Sequence, residues 1–317
     1  MRILFSIFVL CGLTGCWSQP RTGSATAKSN SSPQYQSPME SENTSTQAVS
    51  KPTPTTTSDS KSPKLKPTLR SLDEMLLFQP SKYPQGDWEP AGLDYEDVWF
   101  NSADSTKLHA WYCPSEKPIA VILFAHGNGG HLAHRADLLK YLQTELNVSV
   151  MMFDYRGYGR SEGVPTVKGV LEDARAASRT LAEQAGISEQ ELVVMGRSLG
   201  GAVAIDLATE TNPRALIVES TFPSMKEVAS VHYSKIAWIV SAGKLNSINR
   251  ISEYQGPLLQ SHGTADKVIP FELGQQLFAA ANEPKEFVII TNGTHNSPQG
   301  DEYYETLSQF FGKLENR

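Results

Sequence analysis

Val193-Val194-Met195-Gly196-Arg197-Ser198-Leu199-Gly200-Gly201 is the stretch on which the fold turns, because a G-x-S-x-G pentapeptide joins a β-branched apolar run to an alanine-rich one. Such a junction exposes one serine oxygen at a sharp turn from strand to helix. The residues two before and two after the serine lie where the two backbones nearly touch, so neither position tolerates a side chain. Gly196 and Gly200 meet that demand. Glu191 to Met195 read as a short buried strand, and Ala202, Val203, Ile205 and Ala208 continue as a helix. The alternative, a plain glycine-rich turn, does not account for those flanks. Ser198 is therefore the candidate nucleophile.

Outward from this point, apolar strand runs alternate with longer helical segments. That pattern argues for an α/β fold with a mostly parallel sheet covered by helices on both faces. Residues 97–100 and 107–112, joined by Asn101-Ser102-Ala103-Asp104, read as an antiparallel hairpin. Runs at 119–124, 149–153, 191–195, 215–218, 257–260 and 286–290 supply the parallel strands, giving about eight in all. Helices are expected at about 131–146, 167–185, 199–210, 271–281 and 301–315. Residues 220–255 read as an inserted short helical lid, apolar through Phe222, Met225, Val228, Val231, Tyr233, Ile236, Trp238 and Ile239. Ordinary packing of these residues on the sheet is the competing reading.

Open α/β sheets gather ligand-binding groups at the carboxyl ends of their strands. There the chain places His126-Gly127-Asn128-Gly129-Gly130, Asp154-Tyr155-Arg156-Gly157-Tyr158-Gly159, Ser198, His262-Gly263-Thr264-Ala265-Asp266 and Gly293-Thr294-His295. A serine hydroxyl needs a histidine to take its proton and a carboxylate to orient that histidine. Of the seven histidines, His295 fits best, since it follows the last strand and lies downstream of an acid that itself follows a strand. Asp266 is the candidate acid and Glu219, at the end of the sixth strand, its rival. Asp154 reads as a turn former and Asp301 as a helix cap. His126 and His262 precede glycines at strand ends, where an imidazole supports loop backbone. His131 and His134 have metal-compatible spacing on one helix face but no third ligand, so neither metal nor cofactor is expected. Backbone N–H groups of Leu199 and of Asn128, with Gly129 second, are the candidate oxyanion donors.

These motifs resemble the α/β-hydrolase superfamily: His126-Gly127-Asn128-Gly129, Asp154 to Ser161, Gly196-Arg197-Ser198-Leu199-Gly200 and His262 to Asp266. The resemblance runs from about Asp94 to Phe311. The branch it is most similar to comprises small-lid serine hydrolases, including membrane-associated depalmitoylating and lysophospholipid-cleaving members. It implies a Ser198-Asp266-His295 triad and hydrolysis of a carboxylic ester or thioester through an acyl-serine. A peptidase, an acyltransferase or a non-enzymatic binding protein on the same scaffold are the alternatives. The Gly157 to Gly163 run has the wrong glycine spacing for a dinucleotide loop and reads as a turn.

The beginning of the chain carries a different message. Met1-Arg2 followed by an apolar run from Ile3 to Leu13 reads as a signal peptide over residues 1–15, too short for the roughly 20 apolar residues of a spanning helix. Leu13-Thr14-Gly15-Cys16 resembles a bacterial lipobox, which implies lipidation of Cys16 and an exported lipoprotein anchored to an envelope membrane. Residues 16–70 are dominated by Ser, Thr, Pro, Gln, Asn and Lys and are expected to be a disordered tether. About 50 residues of coil reach on the order of 40 Å. The hydrolase domain would then span 71–317, about 245 residues, which suffices for one core. Cys113, the one cysteine inside it, is expected to be packed. A formal charge of −6 excludes the basic character expected of a nucleic-acid binder.

Overall fold

The computed structural model describes residues 70–234, 237–241 and 243–315. The expected signal peptide, Cys16 and nearly all of the tether lie outside the described residues, as does Ile236 of the lid. One eight-stranded sheet organises the domain. Its strands are β1 (Glu96–Asn101), β2 (Lys107–Cys113), β3 (Ala120–Ala125), β4 (Val148–Asp154), β5 (Val193–Arg197), β6 (Ala215–Glu219), β7 (Leu258–Gly263) and β8 (Lys285–Ile290). The spatial order is β1-β2-β4-β3-β5-β6-β7-β8. β2 pairs antiparallel with β1 and β4, and every pair from β4 onward is parallel. This is the α/β-hydrolase fold expected, with Ser198 immediately after β5.

The central strands are buried on both faces: every residue of β4, β6 and β7 is buried. That explains why β6 and most of β4 read as apolar runs and not as alternating ones. Eight α-helices are found among the described residues: α1 (Leu72–Leu77), α2 (Ala136–Thr144), α3 (Val167–Ala185), α4 (Leu199–Thr211), α5 (Met225–His232), α6 (Ser247–Ile251), α7 (Phe271–Ala280) and α8 (Asp301–Glu315). α3 is framed by local chemistry. The Thr166 side chain accepts the Gly169 N–H at its start, and Gly186 ends it in the left-handed region at φ 68°. α4 has apolar residues on nearly all its faces and nine buried positions, as a helix packed between sheet and lid requires.

Two expectations need correction. The helix anticipated at 131–146 is broken into a 3-10 turn (Leu132–His134) and α2, separated by Arg135 at φ −122° and ψ 13°. At this junction Asp154 Oδ1 caps the Leu132 N–H at 2.9 Å, and the Arg135 side chain turns back to the Gly129 carbonyl at 3.0 Å. Consequently His131 is extended at φ −158° and does not share a helical face with His134. The second correction is α1, which was not anticipated. It is nucleated by a capping box in which Ser71 Oγ and N–H both donate to Glu74 Oε2 at 2.9 and 3.1 Å.

Candidate active site

The turn after β5 is as tight as its glycines imply. A Cβ on Gly196 would stand 2.5 Å from the Gly200 carbonyl carbon, and one on Gly200 would stand 2.5 Å from the Ala125 carbonyl carbon and from the His126 carbonyl oxygen. Ser198 itself sits at φ 54° and ψ −118°, a left-handed conformation that a residue with a Cβ rarely adopts. Three contacts hold it there: its N–H donates to the Glu219 carbonyl at 2.9 Å, and its own carbonyl accepts from Gly201 N–H at 3.0 Å and Thr221 Oγ1 at 2.8 Å. The side chain is thereby lifted off the end of the sheet at the start of α4.

His295 Nε2 lies 3.0 Å from Ser198 Oγ, and His295 Nδ1 lies 2.8 Å from Asp266 Oδ2. An ionised carboxylate can only accept, so Nδ1 carries the proton and Nε2 is left to accept the serine hydroxyl. Asp266 is well suited to stay ionised. Burial alone would push its carboxyl up, but hydrogen bonding from His262 and His295, the charge of His295 and the Ile269 N–H outweigh it, and the group is held well below the usual carboxylate range. Its other oxygen, Oδ1, accepts the Val268 and Ile269 N–H groups, both at 2.8 Å. Both carboxylate oxygens are therefore fixed.

The loop after β3 packs onto this turn: a Cβ on Gly127 would lie 3.6 Å from Ser198 Cβ. The Asn128 side chain points the other way, donating to the Leu77 carbonyl at 2.6 Å and accepting from Gln79 N–H at 3.1 Å and Tyr158 Oη at 2.7 Å. It ties the loop to the end of α1, and Pro80 extends the tie by bridging to Gly130. His126 supports the same loop by donating from Nδ1 to the Gly127 carbonyl at 2.7 Å, and Tyr155 Oη donates to the His126 carbonyl at 2.8 Å. Beside these residues, α1 and the segment 225–244 line a cleft of about 410 Å³ whose walls include Met75, Leu76, Phe78, Met225, Val228 and Ile239. Lys244 crosses it, donating to Ser71 Oγ at 2.6 Å and Asp73 Oδ1 at 3.0 Å.

With this geometry established, residues 116–247 match the family model described as "Serine aminopeptidase, S33". The chain is 36% identical over 251 residues to the alpha/beta hydrolase domain-containing protein WAV2 of Arabidopsis thaliana, covering 71% of this chain and 81% of the relative. It belongs to the α/β-hydrolase superfamily. A Mycobacterium tuberculosis protein described as uncharacterized is 38% identical over 216 residues, 66% of this chain and 74% of that one. Among solved structures, an esterase from Pyrococcus furiosus shares the fold with a TM-score of 0.62 at 22% identity, covering 75% of this chain and 98% of that chain.

In this α/β-hydrolase the three residues singled out from the strand ends, Ser198, Asp266 and His295, form one chain of hydrogen bonds. Leu199 is the first residue of α4 and is buried. Glu219, the rival acid, does not reach His295. It is 1% exposed, accepts Tyr303 Oη at 2.6 Å, and lies 3.8 Å from Arg197 Nη1. Asp154 is more than a turn former, since its buried carboxylate clamps the Leu132 N–H. Asp301 is the first residue of α8, where a carboxylate complements the helix dipole. His262 donates from Nε2 to the Ile269 carbonyl at 2.8 Å, bracing the Asp266 turn. His131 stacks on Trp88 with ring centroids 4.9 Å apart, and burial pulls its imidazole down to about 4, so it is neutral at pH 7. Burial likewise pushes the Cys113 thiol up to about 12. Sequence reasoning missed Arg197, Thr221 and Arg135 as neighbours of the site. Arg135 is brought down to about 10 by burial and then by the charge of Arg197, and stays cationic at neutral pH.

Proposed function

We propose that this chain is a serine hydrolase acting on carboxylic esters or thioesters, with Ser198 as nucleophile, His295 as general base and then acid, and Asp266 as the group that orients His295. The observation that carries the proposal is the unbroken relay from Ser198 Oγ through His295 to Asp266 Oδ2, 3.0 and 2.8 Å long, built on a strained serine. In the first step Oγ attacks the acyl carbon while its proton passes to His295 Nε2. The tetrahedral oxyanion is met by the backbone N–H groups of Leu199 and Asn128, a type of contact worth about 3–4 kcal/mol per donor. Collapse transfers the proton from Nε2 to the leaving oxygen or sulfur and leaves acyl-Ser198. Water, deprotonated by the same imidazole, then attacks the acyl carbon, and Oγ regains its proton as the acid departs.

On this reading the apolar cleft beside the Asn128 loop takes the acyl chain of a small-molecule or lipid-like ester. Met75 and Leu76, at 53% and 45% exposure, give it an apolar rim. Lipidation of Cys16 and the 16–70 tether would hold that rim near an envelope membrane. Loss of membrane association in a Cys16→Ser variant tests the anchor, and unchanged fractionation would refute it.

Labelling by a fluorophosphonate probe tests the central claim: wild type should react and Ser198→Ala should not. Equal labelling of both, or none of wild type, would overturn the assignment. A panel of p-nitrophenyl esters of increasing chain length, with a thioester and a peptide amide, then identifies the bond cleaved. An aminopeptidase-like preference for the amide would replace the esterase reading.

A further inference from the structure

The geometry points to Arg197 and Glu219 as a positioning pair that sets the place of His295 relative to Ser198. The inference rests on the hydrolase reading for its kinetic consequence and on the hydrogen-bond geometry alone for its structural one. His295 lies in the segment between β8 and α8, residues 291–300, which contains neither helix nor strand. No sheet ladder fixes the peptide planes there, so the direction of the imidazole depends on whatever else holds them. Arg197 does so, because its Nη2 donates to the His295 carbonyl at 2.7 Å and the Ser297 carbonyl at 3.0 Å. Charge-assisted bonds of this kind are stronger than neutral ones. Since Arg197 precedes Ser198 directly, both partners of the proton transfer are referenced to the end of one strand.

A guanidinium in this position needs a counter-charge, and the sheet register supplies it. Arg197 and Glu219 are direct neighbours across β5 and β6. The Glu219 carboxylate is buried with Oε2 facing Arg197 at 3.8 Å and otherwise without a hydrogen bond, while Oε1 is held by Tyr303 Oη of α8 at 2.6 Å. A buried carboxylate with one oxygen unbonded is costly unless a neighbouring charge offsets it. The Glu219 backbone carbonyl also accepts the Ser198 N–H at 2.9 Å. The circuit is thus closed: β5 to the His295 loop through Arg197, the loop to α8 along the chain, and α8 back to β6 through Tyr303 and Glu219. The bonds of both residues lead to the backbone around His295 and not to its ring, which makes them positioning residues.

The test uses the full chain and the variants Arg197→Met, Arg197→Lys and Glu219→Gln. With an ester that wild type turns over, Arg197→Met should lose about 10²-fold in kcat, the cost of a displacement of about 1 Å at a reacting group. KM should stay within about threefold, because only transition-state geometry is lost. Arg197→Lys, which can reach one carbonyl but not both, should recover part of the loss. Independently of turnover, the proton shared by His295 Nδ1 and Asp266 is read as a downfield line in the ¹H NMR spectrum. It should be sharp in wild type and broadened by faster exchange in Arg197→Met and in Glu219→Gln. Wild-type kcat in a folded Arg197→Met variant, an unchanged Nδ1 proton, or an Arg197→Lys variant no better than Arg197→Met would overturn the inference. If wild type proves inert to esters while the Nδ1 proton responds as stated, the positioning pair stands and the hydrolase reading falls. Should Arg197→Met fail to fold, Arg197→Lys and Glu219→Gln carry the same readouts.

Discussion

Replacing Asn128 by alanine separates what its backbone does from what its side chain does. A backbone donor cannot be deleted by mutation, but here the peptide is held by a side chain that can. Truncation removes three hydrogen bonds: to the Leu77 carbonyl at 2.6 Å, from Gln79 N–H at 3.1 Å and from Tyr158 Oη at 2.7 Å. Tyr158 is fully buried, so its hydroxyl is left without a partner at a cost of about 1–3 kcal/mol. The other two partners lie in partly buried settings that water can reach, and each loses about 0.5–1.5 kcal/mol. The expected loss of stability is about 2–6 kcal/mol, read from urea unfolding. A double-mutant cycle with Tyr158→Phe apportions it: in the alanine background the second substitution removes the orphaned hydroxyl, so it should be neutral or stabilising. Coupling of about 1–3 kcal/mol follows from that difference. If the loop drifts so that one oxyanion donor is lost, kcat/KM for a p-nitrophenyl ester falls by about 10²–10³. A folded Asn128→Ala variant with kcat/KM within about twofold of wild type would refute the reasoning, since an anchored Asn128 N–H would then be irrelevant to the reaction.

Three further outcomes follow from charged side chains. Asp266 has its carboxyl depressed in the folded state, so its contribution to stability is complete above the unfolded value of about 3.9 and is lost as pH falls toward the lower folded one. The difference in urea midpoint between wild type and Asp266→Asn should therefore be flat above about pH 4.5 and shrink below about 3.5. The same variant, whose amide would favour the wrong imidazole tautomer, should lose on the order of 10⁴ in kcat at neutral pH. Lys244 spans α1 and the lid as a partly exposed cation, so Lys244→Met should cost no more than about 1 kcal/mol of global stability. It should nonetheless speed proteolytic cleavage within residues 70–80, and an unchanged cleavage rate would show that the lysine does not restrain α1.

Most of the sheet was legible because its strands are buried on both faces, which writes them as uninterrupted runs such as Val150 to Phe153 and Ala215 to Val218. The elbow was legible for a steric reason, since only glycine fits at 196 and 200. Failures fell where local preference yields to distant contacts. The apolar pattern over 131–146 is helical, yet Arg135 at φ −122° interrupts it, and Asp154, far along the chain, caps the first turn at the Leu132 N–H. α1 is a different kind of miss. Six residues are too few for a periodic signal, but Ser71-Leu72-Asp73-Glu74 has the spacing of a capping box and could have marked its start.

Glu219 shows how a sound local argument can stop one contact short. A carboxylate at the end of β6 is a reasonable partner for a catalytic histidine, and nothing in its own neighbourhood of the chain argues otherwise. What decides its role is register: β5 and β6 pair so that Glu219 faces Arg197, and the arginine, not the carboxylate, reaches the His295 loop. Asp266 is freed for the imidazole by the opposite circumstance, a tight turn after β7 in which Val268 and Ile269 N–H groups fix one oxygen and leave the other directed at Nδ1. On the proposed reading, two acids at neighbouring strand ends orient one histidine from two sides, one at the ring and one, through Arg197, by way of the backbone. Removing the first should change the tautomer and removing the second the position, so the Asp266→Asn and Glu219→Gln losses should be less than additive if both act on the same proton transfer.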